Sequence, residues 1–489
     1  MRRLAYAVAA VGLVLAGASV AMASAPAPRR CLGQVVTMVG TTGEDRLRGT
    51  PGVDVIAGRD GDDVVIGAGG DDLLCGDMGD DVMRGGPGDD RLGQGREFFG
   101  PFWLDVFDGG PGDDVLDGRR RSIVWDVAVF HDAPGPIVAD MRTGVVTGQG
   151  TDRVIDVQVI QGTPFDDRFE GRPDRRDRFV GLAGDDVMRG RGREDALSGG
   201  PGRDRMFGGS SADRMLGHGG RDRLLGGPGP DRMVGSAGSD SLDGGAGVDL
   251  VNYRAATAGV VVDLVAGTAR GEGRDRLANV DGVLGSEFAD IVRGGARAET
   301  FIGRPGRDRF LGRGGDDLAG DLTRRQNNIP SAFGGRGPDT FVMGAGRDMV
   351  ATAGPGKDVV RGRRGNDHLL GGKASDLLVG GPGADFIGSP FFDYILIDPD
   401  AIHGGAGNDR LVGGRGGDRM TGGRGDDRVR GLHGPNRLFG GTGNDFLLGG
   451  RDDDHMSGGA GNDQARGFEH AGADVCHSIE ARRGCELVR

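Results

Sequence analysis

Along most of the chain the apolar residues gather at the end of a nine-residue phrase, G-G-x-G-x-D-x-U-x, where U is apolar. The phrase runs from Gly40 to Arg466. It is nearly pure as GGPGDDRLG at Gly85–Gly93, GGAGNDRLV at Gly404–Val412 and GGTGNDFLL at Gly440–Leu448. The x-U-x tail predicts a three-residue strand that turns one side chain inward. The glycines ahead of it predict a tight turn, because they accept the positive φ that other residues resist. Strands with one inward residue each cannot build a conventional large core, so the pattern predicts a thin core made by stacking repeats.

The phrase comes in runs. The first keeps strict phase from Gly40 to Gly85, with aspartates at Asp45, Asp54, Asp63, Asp72, Asp81 and Asp90. Gly100–Asp108 reads as a degenerate repeat, and Gly109–Asp117, with Asp114, restores the pattern. The second run starts at Gly181 and carries Asp186, Asp195, Asp204, Asp213, Asp222, Asp231, Asp240 and Asp249. Arg193 and Ser211 at its fourth position predict less regular turns there. The third region is patchier, with Asp308, Asp317, Asp367, Asp376 and Asp385. Glu299 stands in one aspartate position, and DLTRRQNNIPSAF at Asp321–Phe333 has no repeat character. The fourth run has Asp409, Asp418, Asp427, Asp445, Asp454 and Asp463, with Asn436 where one aspartate should be; Asp400 keeps the position just before it.

A longer repeat lies between the runs. Asp126–Gly171 and Asp249–Gly294 align without a gap: Phe130 with Tyr253, Asp140 with Asp263, Gly144 with Gly267, Asp152 with Asp275. IVADMRTG and VVVDLVAG alternate apolar and polar residues like strands with one exposed face. Both segments are too poor in apolar residues for independent globules, which predicts wider coils of the same solenoid. The expected organisation is a signal peptide over 1–23, an amino-terminal cap over 24–39 and repeats over 40–118. A long module over 119–171, repeats over 172–252 and a second long module over 253–294 follow. Degenerate repeats over 295–388, an aromatic insertion over 389–403, repeats over 404–467 and a cap over 468–489 complete it.

Composition sharpens this picture. Of 489 residues 102 are glycine and only 5% aromatic, and without the nine-residue period such a chain would read as disordered. Sixty Lys+Arg against 73 Asp+Glu give a formal charge of −13. The acidic balance, with no basic stripe or aromatic platform, argues against nucleic acid as a partner.

Each repeat aspartate is a hard oxygen ligand of the kind calcium prefers. One isolated aspartate reads as a turn former; a phased array reads as a metal site. This motif resembles the hemolysin-type calcium-binding (RTX) repeat, and the likeness covers about Thr37 to Arg466. The resemblance implies an all-β, right-handed parallel β-roll or β-solenoid in which two nonapeptides make one coil. It implies multiple Ca²⁺ ions as the cofactor, held between the glycine-aspartate turns of successive coils. Aspartates eighteen residues apart then stack, Asp204, Asp222 and Asp240 on one edge and Asp213 and Asp231 on the other. The aspartates named in the four runs are therefore the candidate metal ligands. Without a counterion they repel, so cation binding is expected to drive folding. The chain departs from the classical family in lacking its effector domains and in its leader-like start.

That start is MRRLAYAVAAVGLVLAGASVAMASA, which predicts a cleaved secretory signal; the alternative is an uncleaved anchor. No other segment could span a bilayer, so the mature chain is expected to have no transmembrane segment. Four cysteines fit an oxidising compartment. Of the three possible connectivities, Cys31–Cys75 and Cys476–Cys485 are the pairing expected. No H-E-x-x-H or G-x-S-x-G occurs; His218, His368, His403, His433 and His455 occupy repeat positions and His470 and His477 the carboxyl-terminal cap, so no catalytic residues are expected. The reading is a secreted, extracellular or cell-surface calcium-binding monomer with a structural or interaction role. The competing reading is an adhesin that contacts a cell-surface or glycan partner through Phe98, Phe99, Phe102, Trp103, Phe391, Phe392 and Tyr394. Against it stands the plainer expectation that these aromatics pack on the flank of the roll.

Overall fold

The structure is a computed structural model. It describes residues 30–95, 104–118, 125–304, 306–312, 318–319, 338–343, 347–350, 353–388, 399–467, 474–479, 481–483 and 486–487. The expected signal peptide, the seven aromatics of the two insertions, DLTRRQNNIPSAF, Asp317 and Cys485 lie outside these residues.

Every regular element among the described residues is a β-strand. The chain forms two compact units, Met1–Met206 and Phe207–Arg489. Each is a parallel β-solenoid in which successive strands alternate between two sheets, and a strand pairs with the one a full coil further on. In the first unit Leu47, Val65, Met83 and Phe107 follow one another in register on one sheet. Ile56, Leu74, Leu92 and Leu116 do so on the other. In the second unit the matching columns are Ile402, Met420, Leu438 and Met456, and Leu411, Val429 and Leu447. All are the U residues of the repeat and all are buried. Each contributes about 1.5–3 kcal/mol by leaving water, so the core is strong only as a stack. Where U is phenylalanine the rings stack too, as Phe169 and Phe179 do with centroids 5.2 Å apart.

The turn between strands shows why glycine recurs. At Gly226 a Cβ would collide with Asp231 Oδ2 and lie 2.5 Å from the Gly244 carbonyl oxygen. Gly227 and Gly229 of the same turn have φ of +111° and +145°, a region that L side chains avoid.

The two long segments share one strand order. Val127–Val129 belongs to one sheet; Val138–Asp140, Val145–Thr147 and Thr151–Ile155 are antiparallel neighbours in the other. Leu250–Asn252, Val261–Asp263, Thr268–Arg270 and Arg274–Ala278 repeat that plan. The outer strands of each trio pair in parallel with regular coils, Thr151–Ile155 with Val115–Asp117 and Val138–Asp140 with Arg168–Glu170. A local antiparallel excursion therefore widens the sheet without interrupting it. Near the amino-terminal end a Cys31–Cys75 disulfide, with Cα atoms 5.8 Å apart, packs against Ala57, Val36 and Val39. Cys476 is buried and disulfide-bonded.

Candidate metal centre

The residue just before each strand is the repeat aspartate, so parallel pairing brings these aspartates together one coil apart. Each donates its backbone N–H to Oδ1 of the next. Asp45 donates to Asp63 at 2.8 Å, Asp63 to Asp81 at 2.9 Å and Asp81 to Asp105 at 3.1 Å. On the other edge Asp54, Asp72, Asp90, Asp114 and Asp152 form the same chain over 2.7–3.0 Å. In the second unit Asp213, Asp231 and Asp249 form one such series and Asp222 and Asp240 another. Further along, Asp348, Asp367, Asp385, Asp409, Asp427, Asp445 and Asp463 line one edge. Asp290, Asp308, Asp339, Asp358, Asp376, Asp400, Asp418, Asn436, Asp454 and Asp474 line the other. Asp186 joins Asp204, and Asp177 joins Asp195, within the first unit.

The second carboxylate oxygen is the informative one. Oδ2 is buried with no hydrogen-bond partner at Asp63, Asp72, Asp81, Asp90, Asp114 and Asp186. The same is true at Asp231, Asp240, Asp249, Asp308, Asp367, Asp385, Asp409, Asp418, Asp427, Asp445 and Asp454. A buried carboxylate oxygen left without a donor is costly, and its recurrence at one atom type points to a missing positive partner. Burial, reinforced by the neighbouring carboxylates, pushes Asp63 up to about 7, Asp81 to about 9 and Asp186 to about 8. Asp385 and Asp427 are likewise raised to about 7.

Carboxylate and carbonyl oxygens are the donor set of a hard divalent cation. At Gly226 the absent Cβ leaves a cradle bounded by Asp231 Oδ2 and the Gly244 carbonyl. The residues fit calcium. Among the described residues no three His, Cys, Asp or Glu side chains converge as a metal-holding cluster. A cation held here therefore draws ligands from turn carbonyls as well as aspartates. Where an exposed acidic residue precedes the ladder aspartate it does different work: Asp62 Oδ1 accepts the Asp80 N–H at 2.9 Å, capping the adjacent turn.

Two expected ligands differ from the rest. Oδ2 of Asp45 and Asp54 already accepts donors from Thr41 and Thr50. Several ladder members were not among the expected ligands. Asp105, Asp126, Asp152 and Asp400 lie in degenerate or long repeats. Asp339, Asp348 and Asp358 lie where the nine-residue spacing slips. Asp474 is followed by Cys476 in the apolar position, where Cys476 pairs with Met456. The signal in each case is an aspartate two residues before a buried side chain.

The RTX calcium-binding nonapeptide repeat model matches residues 39–74, 76–92, 105–120, 174–192, 190–224, 225–255, 284–319, 352–387, 398–429 and 430–465. These stretches cover more than half of the chain and leave out most of the two long segments. No curated protein matches it. The ladders, the glycine turns and the matched repeats lead to one conclusion: the chain belongs to the RTX calcium-binding nonapeptide repeat family and is a calcium-binding repeat protein.

Proposed function

We propose that this protein is a secreted calcium-responsive scaffold whose ladder aspartates and turn carbonyls hold calcium ions and couple their binding to folding. The observation that carries this reading is the repeated buried Oδ2 without a donor. Bound calcium supplies the positive charge that offsets the stacked carboxylates. The chain does the rest. Backbone N–H groups fix each Oδ1, leaving Oδ2 turned toward the turn. The glycines keep side chains out of the space beside Oδ2 and let carbonyls approach.

In the absence of calcium the carboxylates oppose stacking, and the glycine-rich chain loses much conformational entropy on ordering. Metal-binding free energy then becomes folding free energy. Extracellular calcium modules work at about 10⁻⁴–10⁻³ M, which suits a chain that orders after export. The leader-like first residues and the Cys31–Cys75 disulfide support export to an oxidising compartment. The role outside the cell is structural or interactive. Far-UV circular dichroism in chelator and then in millimolar calcium tests the reading. A largely disordered spectrum that becomes β on calcium addition is expected; the same β spectrum in both conditions would refute the coupling.

A further inference from the structure

The nonapeptide turns fall into two classes, and the residue after the first glycine separates them. In the common class that residue has positive φ, even where it is not glycine: Ala68 at +95°, Leu182 at +87° and Arg363 at +79°. Its N–H then faces the neighbouring coil. Ala68 donates to the Gly85 carbonyl at 2.9 Å, Leu182 to Gly199 at 3.1 Å and Arg363 to Gly380 at 2.7 Å. Oδ2 of the turn's own aspartate is left without a chain donor at Asp72, Asp186 and Asp367.

In the second class the residue does not take positive φ; Thr41, Thr50, Thr163 and Ser286 form it, and Arg172 and Gly295 likewise donate their N–H to the acid of their own turn. A β-branched threonine resists that region, so its N–H turns the other way, into the turn. Thr50 N–H donates to Asp54 Oδ2 at 2.6 Å, and its hydroxyl donates to the same oxygen at 2.9 Å. Thr41 treats Asp45 Oδ2 likewise, at 2.5 and 2.9 Å. Thr163 N–H donates to Asp167 Oδ2 at 2.6 Å and its hydroxyl to Oδ1 at 2.8 Å. Ser286 repeats this on Asp290, both at 2.7 Å. The chain itself thus supplies two donors where the common turn supplies none.

We infer that the turns closed by Thr41, Thr50, Thr163 and Ser286 take no calcium and hold their shape without it, acting as built-in collars between calcium-dependent runs. The inference rests on the calcium reading of the other turns. Position in the chain supports it. Thr41 and Thr50 stand on successive turns at the head of the first run. Thr163 and Ser286 stand at the carboxyl-terminal ends of the two long modules, just ahead of regular repeats; Thr163 is followed one turn later by Arg172, whose N–H and guanidinium donate to Asp177. The long segments offer an internal contrast: Tyr253 OH donates to Asp275 Oδ2 at 3.2 Å, whereas Phe130 has no hydroxyl and Asp152 Oδ2 has no partner. In a solenoid, where each coil leans on its neighbours, such collars give calcium-driven ordering fixed places to start.

Residue-resolved hydrogen exchange in chelator tests the inference. The amides of Thr50, Thr163 and Ser286 are expected to exchange at least roughly tenfold more slowly than those of Ala68, Leu182 and Arg363, and calcium should protect only the second set further. Thr163→Gly should lose that chelator-state protection and bind about one more calcium ion by equilibrium dialysis; Leu182→Thr should bind about one fewer. Thr163→Ser, which keeps both donors, should behave as the parent. Equal lability of all six amides in chelator, or unchanged stoichiometry in both folded variants, would overturn this inference and leave the calcium reading standing. Full protection of all six in chelator would overturn calcium-coupled folding and the two classes with it.

Discussion

Acid should partly replace calcium. In the folded roll without a cation, burial raises Asp81 to about 9 and Asp114, Asp126 and Asp186 to about 8, all within the unit Met1–Met206. In the unfolded chain the same groups titrate near the ordinary value of 3.8. A folded value raised above the unfolded one means that the folded state binds the extra protons. The resulting stability is fully present below about pH 4 and is lost as pH rises towards 9. At pH 7 these four groups take up nearly four protons on folding, and Asp63, Asp90 and Asp195, raised to about 7, add part of a proton each. One proton corresponds to about 1.4 kcal/mol per pH unit, so stability should rise by roughly 5 kcal/mol or more for each unit of acidification near neutrality. The assay is far-UV circular dichroism of chelated protein titrated from pH 8 to pH 5. A cooperative gain of β signal, steeper than a one-proton transition, is expected. In calcium the sign reverses, because protons compete for the same oxygens, and the calcium midpoint should rise as pH falls. A chelated protein equally disordered at pH 8 and pH 5 would refute the reasoning.

Removing one carboxylate from the middle of a ladder should cost more calcium than removing one at a collar. Calorimetry is expected to show fewer bound ions for Asp427→Ala and an unchanged number for Asp45→Ala. Asn436 bridges the Gly434 carbonyl and Asp454 Oδ1 through its Nδ2, doing neutrally what a cation does elsewhere. Asn436→Asp should therefore bind about one additional calcium ion when loaded. Leu438, stacked in register between Met420 and Met456, is fully buried; Leu438→Ala should cost about 2–5 kcal/mol in calcium, read from denaturant melts.

The repeat phase made most of the fold legible. A U residue every ninth position gives strands such as Arg428–His433 and their partners, because only one side chain per strand has to find the core. The aspartate before each strand was legible for the same reason, since parallel register stacks it automatically. The antiparallel trio at Val138–Ile155 was not, because alternation alone does not give strand direction. Nor did the phrase distinguish Asp54 from Asp72. Both stand in the same place in the phrase, and the difference lies in the sign of φ one residue after the first glycine, at Thr50 and Ala68. Asp339, Asp348 and Asp358 escaped because spacing slips there while the pairing absorbs the extra residue.

The most direct test of the central claim is a crystal structure of calcium-loaded protein with anomalous scattering from the calcium or from substituted terbium. The account predicts anomalous density beside the buried Oδ2 atoms of Asp409, Asp427 and Asp445, facing the turn carbonyls. Ions found only on the exposed acidic residues, with these Oδ2 atoms bare, would contradict it.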